Sequence, residues 1–225
     1  MFTAMSGTTK DIQAITARAR QDQLELLGTV VSDHDDPVPD GTRTILLFGP
    51  REPGFWRHVN AAAEFRDARP DPMDRWSARI IGALAADLGG SAIFPFGGPP
   101  YAPFITWALR SGRCWSSPVT LLVHDTAGLM VSFRGAVALP FRLDATATGP
   151  KPCDACVTRP CLAACPVGAL TASGYDLSAC HGYLDSPEGQ DCMQNGCAAR
   201  RACPVSQNHA RLPEHSAFHM RAFHK

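Results

Sequence analysis

Eight of the nine cysteines of this chain fall within 51 consecutive positions, from Cys153 to Cys203, while the first 150 residues hold only Cys114. They form two groups. The first, "CDACVTRPCLAACPV", has the spacing C-x2-C-x4-C-x3-C-P and comprises Cys153, Cys156, Cys161 and Cys165. The second begins at Cys180, leaves an eleven-residue gap, and continues as C-x4-C-x5-C-P with Cys192, Cys197 and Cys203. Each group has four thiols and ends in Cys-Pro-Val, an imperfect internal duplication of one binding loop. A segment of about 55 residues so rich in Pro, Gly and Cys cannot bury an ordinary core, and needs a metal or cluster as a staple. The composition step also marks a boundary. The chain is expected to be α+β, with a mixed α/β domain over 1–148 and a small cysteine-rich domain over 149–225, joined through "TATGPKP" at 146–152.

The redox compartment decides how the thiols are read. Lys plus Arg equals Asp plus Glu, 21 against 21, which gives no electrostatic reason for a nucleic-acid or membrane partner. No apolar run approaches the roughly 18 residues of a membrane span. The opening "MFTAMSGTTKDIQAITARAR" has no apolar stretch followed by a small-residue cleavage site, so a cytoplasmic protein is expected. Thiols stay reduced there, which disfavours structural disulfides. Zinc sites usually pair two C-x2-C knuckles, and only Cys153 and Cys156 form one. A four-iron cluster takes three thiolates from one tight loop and a fourth from further away. In the bacterial C-x2-C-x2-C-x3-C-P run, the last Cys crosses to the other cluster. Small residues between the thiols (Ala155, Ala163, Ala164, Ala198, Ala202) leave backbone amides free to approach sulfur. The pattern points first to iron–sulfur, with zinc and disulfides as the remaining alternatives.

Residues 153–206 resemble the two-cluster ferredoxin-type domain of epoxyqueuosine reductase and related corrinoid-linked iron–sulfur proteins. "CPVGAL", then "ACHGYL", then "GCAARRACPV" follow the order of that family's landmarks. Two departures stand out. The first loop has four residues, "VTRP", where two are usual, and the second has Arg200 where a Cys would sit, with Cys192 in compensation. The resemblance implies two [4Fe–4S] clusters. One would take Cys153, Cys156, Cys161 and Cys203, and the other Cys180, Cys192, Cys197 and Cys165. Residues 103–139 are more faintly similar to the part of the family that lines its cobalamin pocket. The preceding "GGPPYAPF" lacks the family's proton-donating aspartate and the glutamate after it. Within 96–108 Tyr101 is the only titratable group, and Asp125 in "HDTAG" is the carboxylate that could substitute. The implied function is one-electron transfer between donor and acceptor proteins. A corrinoid-dependent reductase with bound cobalamin is one alternative, and a structural or sensing iron–sulfur or zinc protein another.

Elsewhere the pattern predicts a helix capped by Thr8 or Thr9, carrying Ile12, Ile15, Ala19 and Leu26 and stopped at Gly28. Strands are expected at 29–32, 44–49, 91–96, 118–123 and 129–139, and helices at 54–68 and 103–110. The best-defined helix starts at Asp71–Pro72, carries Trp76, Ile80, Leu84 and Leu88, and ends at Gly89–Gly90. The loop "DHDDPVPDG" (33–41) reads as solvated rather than metal-binding. Cys114 reads as a structural thiol. His215 and His219 have a zinc-compatible spacing, but "HSAFHMRAF" reads better as packing of Phe218 and Phe223. Trp56, Trp76 and Trp107 read as core. Arg200 and Arg201 either tune a cluster, dock an acidic donor or sit in solvent.

Overall fold

The structure is a computed structural model that describes residues 11–144 and 148–225. It is an α+β protein of helices and small antiparallel sheets. The chain divides into two compact units, one of Met1–Ser111 with Ser132–Ala147, the other of Gly112–Val131 with Thr148–Lys225.

In the first unit, α1 (Ile12–Gln21) is capped by the Asp11 carboxylate, which accepts from the Gln13 N–H. The expected cap at Thr8 or Thr9 lies outside the described residues. The helix ends before Leu26 and Gly28. Gln23 turns the chain with φ +55, and Leu24–Val31 forms strand β1 instead. Pairing with β2 (Thr44–Pro50) overrides the helical spacing, with a bulge between Leu26 and Gly28. Every residue of β2 is buried, so its apolar run needs no alternation. The helix expected at 54–68 is only α2 (Phe55–Asn60) followed by a 3-10 turn, Ala63–Phe65. The break sets Glu64 against Arg79, whose Nε donates to Glu64 Oε1 at 2.5 Å.

Helix α3 (Pro72–Asp87) has Pro72 at its first position, as expected. Asp71 precedes it in a left-handed conformation (φ +52) and makes no capping bond. The face turned inward carries Met73, Trp76, Ile81, Leu84 and Ala85, so Ile81 rather than Ile80 fills the stripe. Gly89, at φ +64, ends the helix in the conformation that glycine adopts without strain. Strand β3 (Ser91–Ile93) and helix α4 (Phe104–Arg110) follow. Trp107 is buried, and its Nε1 donates to Asp36 Oδ1 at 2.8 Å, where Arg110 Nη1 also binds at 2.6 Å. One aspartate of the 33–41 loop is therefore an anchor for α4, not a solvated group.

The chain then forms β4 (Cys114–Ser116) and β5 (Leu122–His124), an antiparallel pair, before β6 (Gly135–Leu139) joins the main sheet. That sheet has the order β1-β2-β6-β3, all antiparallel.

The second unit takes in more than the expected 149–225. Residues 112–131, expected in the first domain, belong to it. The physical reason is a shared apolar cluster in which Val119, Val123 and Leu129 pack with Cys161, Leu170, Ala199 and Cys203. Hydrogen bonds tie the same segment down. Leu129 N–H donates to Ser206 Oγ at 2.8 Å, Arg200 Nη1 to Leu129 O at 2.5 Å, and Arg211 Nη1 to Met130 O at 3.0 Å. The rest of the unit is short pieces: α5 (Pro152–Ala155), a 3-10 turn at Pro160–Leu162, β7 (Leu170–Thr171), β8 (Gly174–Tyr175), α6 (Leu177–Leu184), α7 (Gln190–Asn195), α8 (Ala198–Ala202), α9 (Pro204–Asn208) and α10 (Pro213–Phe223). The last packs against α7. Among the described residues no helix is long and apolar enough to cross a membrane.

Gly128 shows how closely the 112–131 segment seats. Its φ is +57, and an added Cβ would lie 2.5 Å from Ser206 N. Gly128→Ala is expected to lower the unfolding free energy by roughly 1–3 kcal/mol through backbone strain and overlap. Urea unfolding of the anaerobic protein reads this directly, and a variant as stable as the parent would refute the seating.

Candidate metal centre

The eight clustered thiols gather as two sets of four, and each set draws on both loops. Cys153 lies in α5, Cys156 caps its end, Cys161 sits in the following 3-10 turn, and Cys203 links α8 to α9. These four, and no other cysteine, line one cavity of about 350 Å³. Its walls are mostly apolar, with Val123, Leu129, Val157 and Val205 among them. Burial pushes the Cys153 thiol up. Lys151 works against this, and the charges of Cys203, Cys161 and Cys156 add to it. Burial likewise pushes Cys161 up, helped by Cys203 and Cys156 and opposed by the backbone N–H groups of Cys161 and Leu162.

The second set is Cys165, Cys180, Cys192 and Cys197. Cys180 lies in α6, Cys192 in α7, and Cys197 at the start of α8. Burial pushes Cys180 up, and the neighbours adding to it are Cys197 and Cys165. Burial does the same to Cys192, with Cys197 adding. The charges of both Cys192 and Cys165 also reach the Tyr183 phenol. Donors already point at this set's sulfurs. Ala169 N–H reaches Cys165 Sγ at 3.3 Å, Tyr175 Oη–H reaches Cys180 Sγ at 3.1 Å, and the Ala198 N–H bonds to Cys192.

This is a donor set that fits a cationic centre. Four thiols share a wall of low polarity and raise one another's proton affinity. A bound metal would displace those protons and supply the balancing positive charge. Among the described residues no three His, Cys, Asp or Glu side chains converge tightly enough to hold a single metal ion. The first set surrounds a space rather than a point. A zinc ion with Zn–S near 2.3 Å needs its four sulfurs within about 3.8 Å of each other. All nine cysteines are free thiols.

Several other candidates resolve differently. Arg200 is no solvated group. It donates to Leu129 O, and burial draws its guanidinium down against the charge of Cys197. Arg201 donates to Gly196 O at 3.0 Å and pairs with Asp191. Cys114 is buried across the β4–β5 ladder from His124, and burial followed by the Asp125 charge pushes its thiol up to about 12. It belongs to the same unit as the thiol sets but to neither of them. His215 and His219 bond to each other (Nε2···Nε2 3.1 Å), with Arg211 Nη2 3.2 Å from His215. Phe223 stacks on His181 at 4.7 Å, and Phe218 meets His219 edge-on.

Asp125 is tied by two parallel bonds to Arg113, 2.8 and 2.9 Å long. Burial would raise its carboxyl, but the adjacent His124 ring and the paired Arg113 guanidinium outweigh this and hold it well below the usual carboxylate range. Arg113 is the firmer of the two partners. His124 Nδ1 also faces the N–H groups of Thr126 and Ala127 at 3.1 and 3.2 Å, so that nitrogen accepts.

Comparison with protein-family models, characterised proteins and solved structures finds no match for this chain. Tyr175 and Ser117 (which lines the first cavity) were not singled out in the sequence. A tyrosine five residues before a cluster-type Cys was the only signal for the first. Nothing local marks the second.

Tyr175→Phe removes the hydroxyl bonded to Cys180 while keeping the ring. It is expected to leave metal content unchanged and to lower the reduction potential of whatever centre Cys180 holds, because one donor to sulfur is gone. A redox titration with unchanged potentials would show that this bond plays no tuning role.

Proposed function

We propose that this chain is an iron–sulfur protein that holds two [4Fe–4S] clusters and passes electrons one at a time between a donor and an acceptor protein in the cytoplasm. The observation that carries this reading is the sorting of eight thiols into two sets of four. Each set includes the last Cys of the other loop. Cys153, Cys156, Cys161 and Cys203 would hold one cluster, and Cys180, Cys192, Cys197 and Cys165 the other. Such a cluster spreads an added electron over several atoms and so supplies one-electron chemistry with little rearrangement. The chain's own part is to present the thiolates, exclude water with apolar walls, and set the potential through donors to sulfur.

Electron transfer is favoured over the corrinoid-dependent reductase on proton chemistry. A general acid must give up a proton near neutral pH, and its loss costs about 10²–10⁴-fold in rate. Residues 96–108 contain no carboxylate. Asp125, the substitute, is paired with Arg113 and stays ionised. The purified chain, given cobalamin and a strong reductant, is expected not to convert epoxyqueuosine in tRNA. Turnover abolished by Asp125→Asn would restore the enzyme.

Anaerobic purification should give brown protein with about eight irons per chain and matching sulfide. Stoichiometric zinc without iron would overturn the reading. Cys203→Ser should damage the cluster of Cys153, Cys156 and Cys161 and spare the other. Loss of the Cys192–Cys197 cluster instead, seen by EPR, would reverse the crossed assignment.

A further inference from the structure

Ser117 lies where β4 gives way to the turn before β5, and its backbone is fully engaged. Its N–H donates to Leu121 O at 2.9 Å, and its carbonyl accepts from Thr120 N–H at 3.0 Å. The side chain is different. Ser117 is only 7% exposed, and its hydroxyl is buried with no hydrogen-bond partner among the described residues. The residue lines the cavity that holds Cys153, Cys156, Cys161 and Cys203. A buried hydroxyl that goes unpaired is costly, and the great majority of such groups find a partner.

The wall around it makes the hydroxyl more than a spare donor. Four of the lining residues are Pro118, Pro152, Pro160 and Pro204. None of these carries a backbone N–H. Backbone N–H groups of Cys161 and Leu162 are directed at Cys161. A thiolate or sulfide sulfur in this cavity accepts hydrogen bonds, and a serine hydroxyl can turn its proton toward one. We infer that Ser117 donates its hydroxyl proton to a sulfur of the centre held by Cys153, Cys156, Cys161 and Cys203, and so raises that centre's reduction potential. The inference rests on the cluster reading above. It assigns a tuning residue to a segment, 112–131, that contains none of the eight ligand thiols.

The test uses the full chain, purified anaerobically, with iron and sulfide assayed and both midpoint potentials measured by EPR-monitored titration. Ser117→Ala is expected to keep about eight irons. One midpoint should move to a more negative value, and it should be the one that Tyr175→Phe leaves alone. Ser117→Thr should restore it. Where Ser117→Ala loads poorly, Ser117→Thr and Ser117→Val carry the comparison, since they match in shape and differ in the hydroxyl. A more negative midpoint for Val than for Thr is expected. Unchanged midpoints in Ser117→Ala, or equal midpoints for Thr and Val, would overturn the assignment while leaving the two clusters in place. Zinc without iron in the parent protein would overturn the cluster reading itself, and the two failures are thereby told apart.

Discussion

Neither thiol set can be completed by one loop. Cys203 comes to Cys153, Cys156 and Cys161 across about 40 to 50 residues of chain, and Cys165 joins Cys180, Cys192 and Cys197 in return. This crossing closes the 153–165 and 180–203 segments on each other twice. It supplies what the unit lacks otherwise. Its helices run from four to eleven residues, below the length at which helices stand alone in water, and its strands β7 and β8 are two residues each. Under the cluster reading, a charged centre shared by two loops would make their closure cooperative, because removing one thiolate would leave three buried ones without compensation.

The 112–131 segment completes that arrangement from the apolar side. Val119, Val123 and Leu129 cover Cys161 and Cys203. Ser206, Arg200 and Arg211 hold the backbone of Leu129 and Met130 through donors and acceptors that solvent would otherwise compete for. Arg200 therefore serves two ends at once, a carbonyl of this segment and the charge of Cys197. The set of Cys197 also takes in Cys192, on the helix that α10 packs against.

What could be read from the sequence follows from how local each signal is. Asp71–Pro72 and the spacing of Trp76 and Leu84 suffice for α3, and "TILLFG" for β2, because both are long, strongly apolar elements. The grouping of Cys153, Cys156, Cys161 and Cys203 around one cavity is the grouping that the family resemblance implied, and local spacing alone did not give it. Leu26 and Gly28 misled because a β-pairing partner at Phe48 and Leu47 outweighs helical period. Asp71 misled in a different way: it occupies the cap position, yet its left-handed backbone keeps its carboxylate off the helix. The true extent of the second unit and the place of Ser117 were not legible. Both depend on contacts between residues 112–131 and residues some 30 to 90 positions later, for which no periodicity speaks.

The two thiol sets have the same ligands and different surroundings. The second has an N–H on Cys165, a phenol on Cys180, an N–H on Cys192 and a guanidinium beside Cys197. The first has amides on Cys161, the Lys151 ammonium near Cys153 and otherwise mostly proline and aliphatic walls. Donors and cations favour the reduced, more negative form of a thiolate-bound centre, and apolar burial disfavours it. Under the electron-transfer reading an added electron therefore rests more readily at the second set. The first then lies uphill as the point of passage, with Val157 at the edge of its cavity 95% exposed. Under that reading the groups around the sulfurs, and not the sulfurs themselves, would set the direction of transfer.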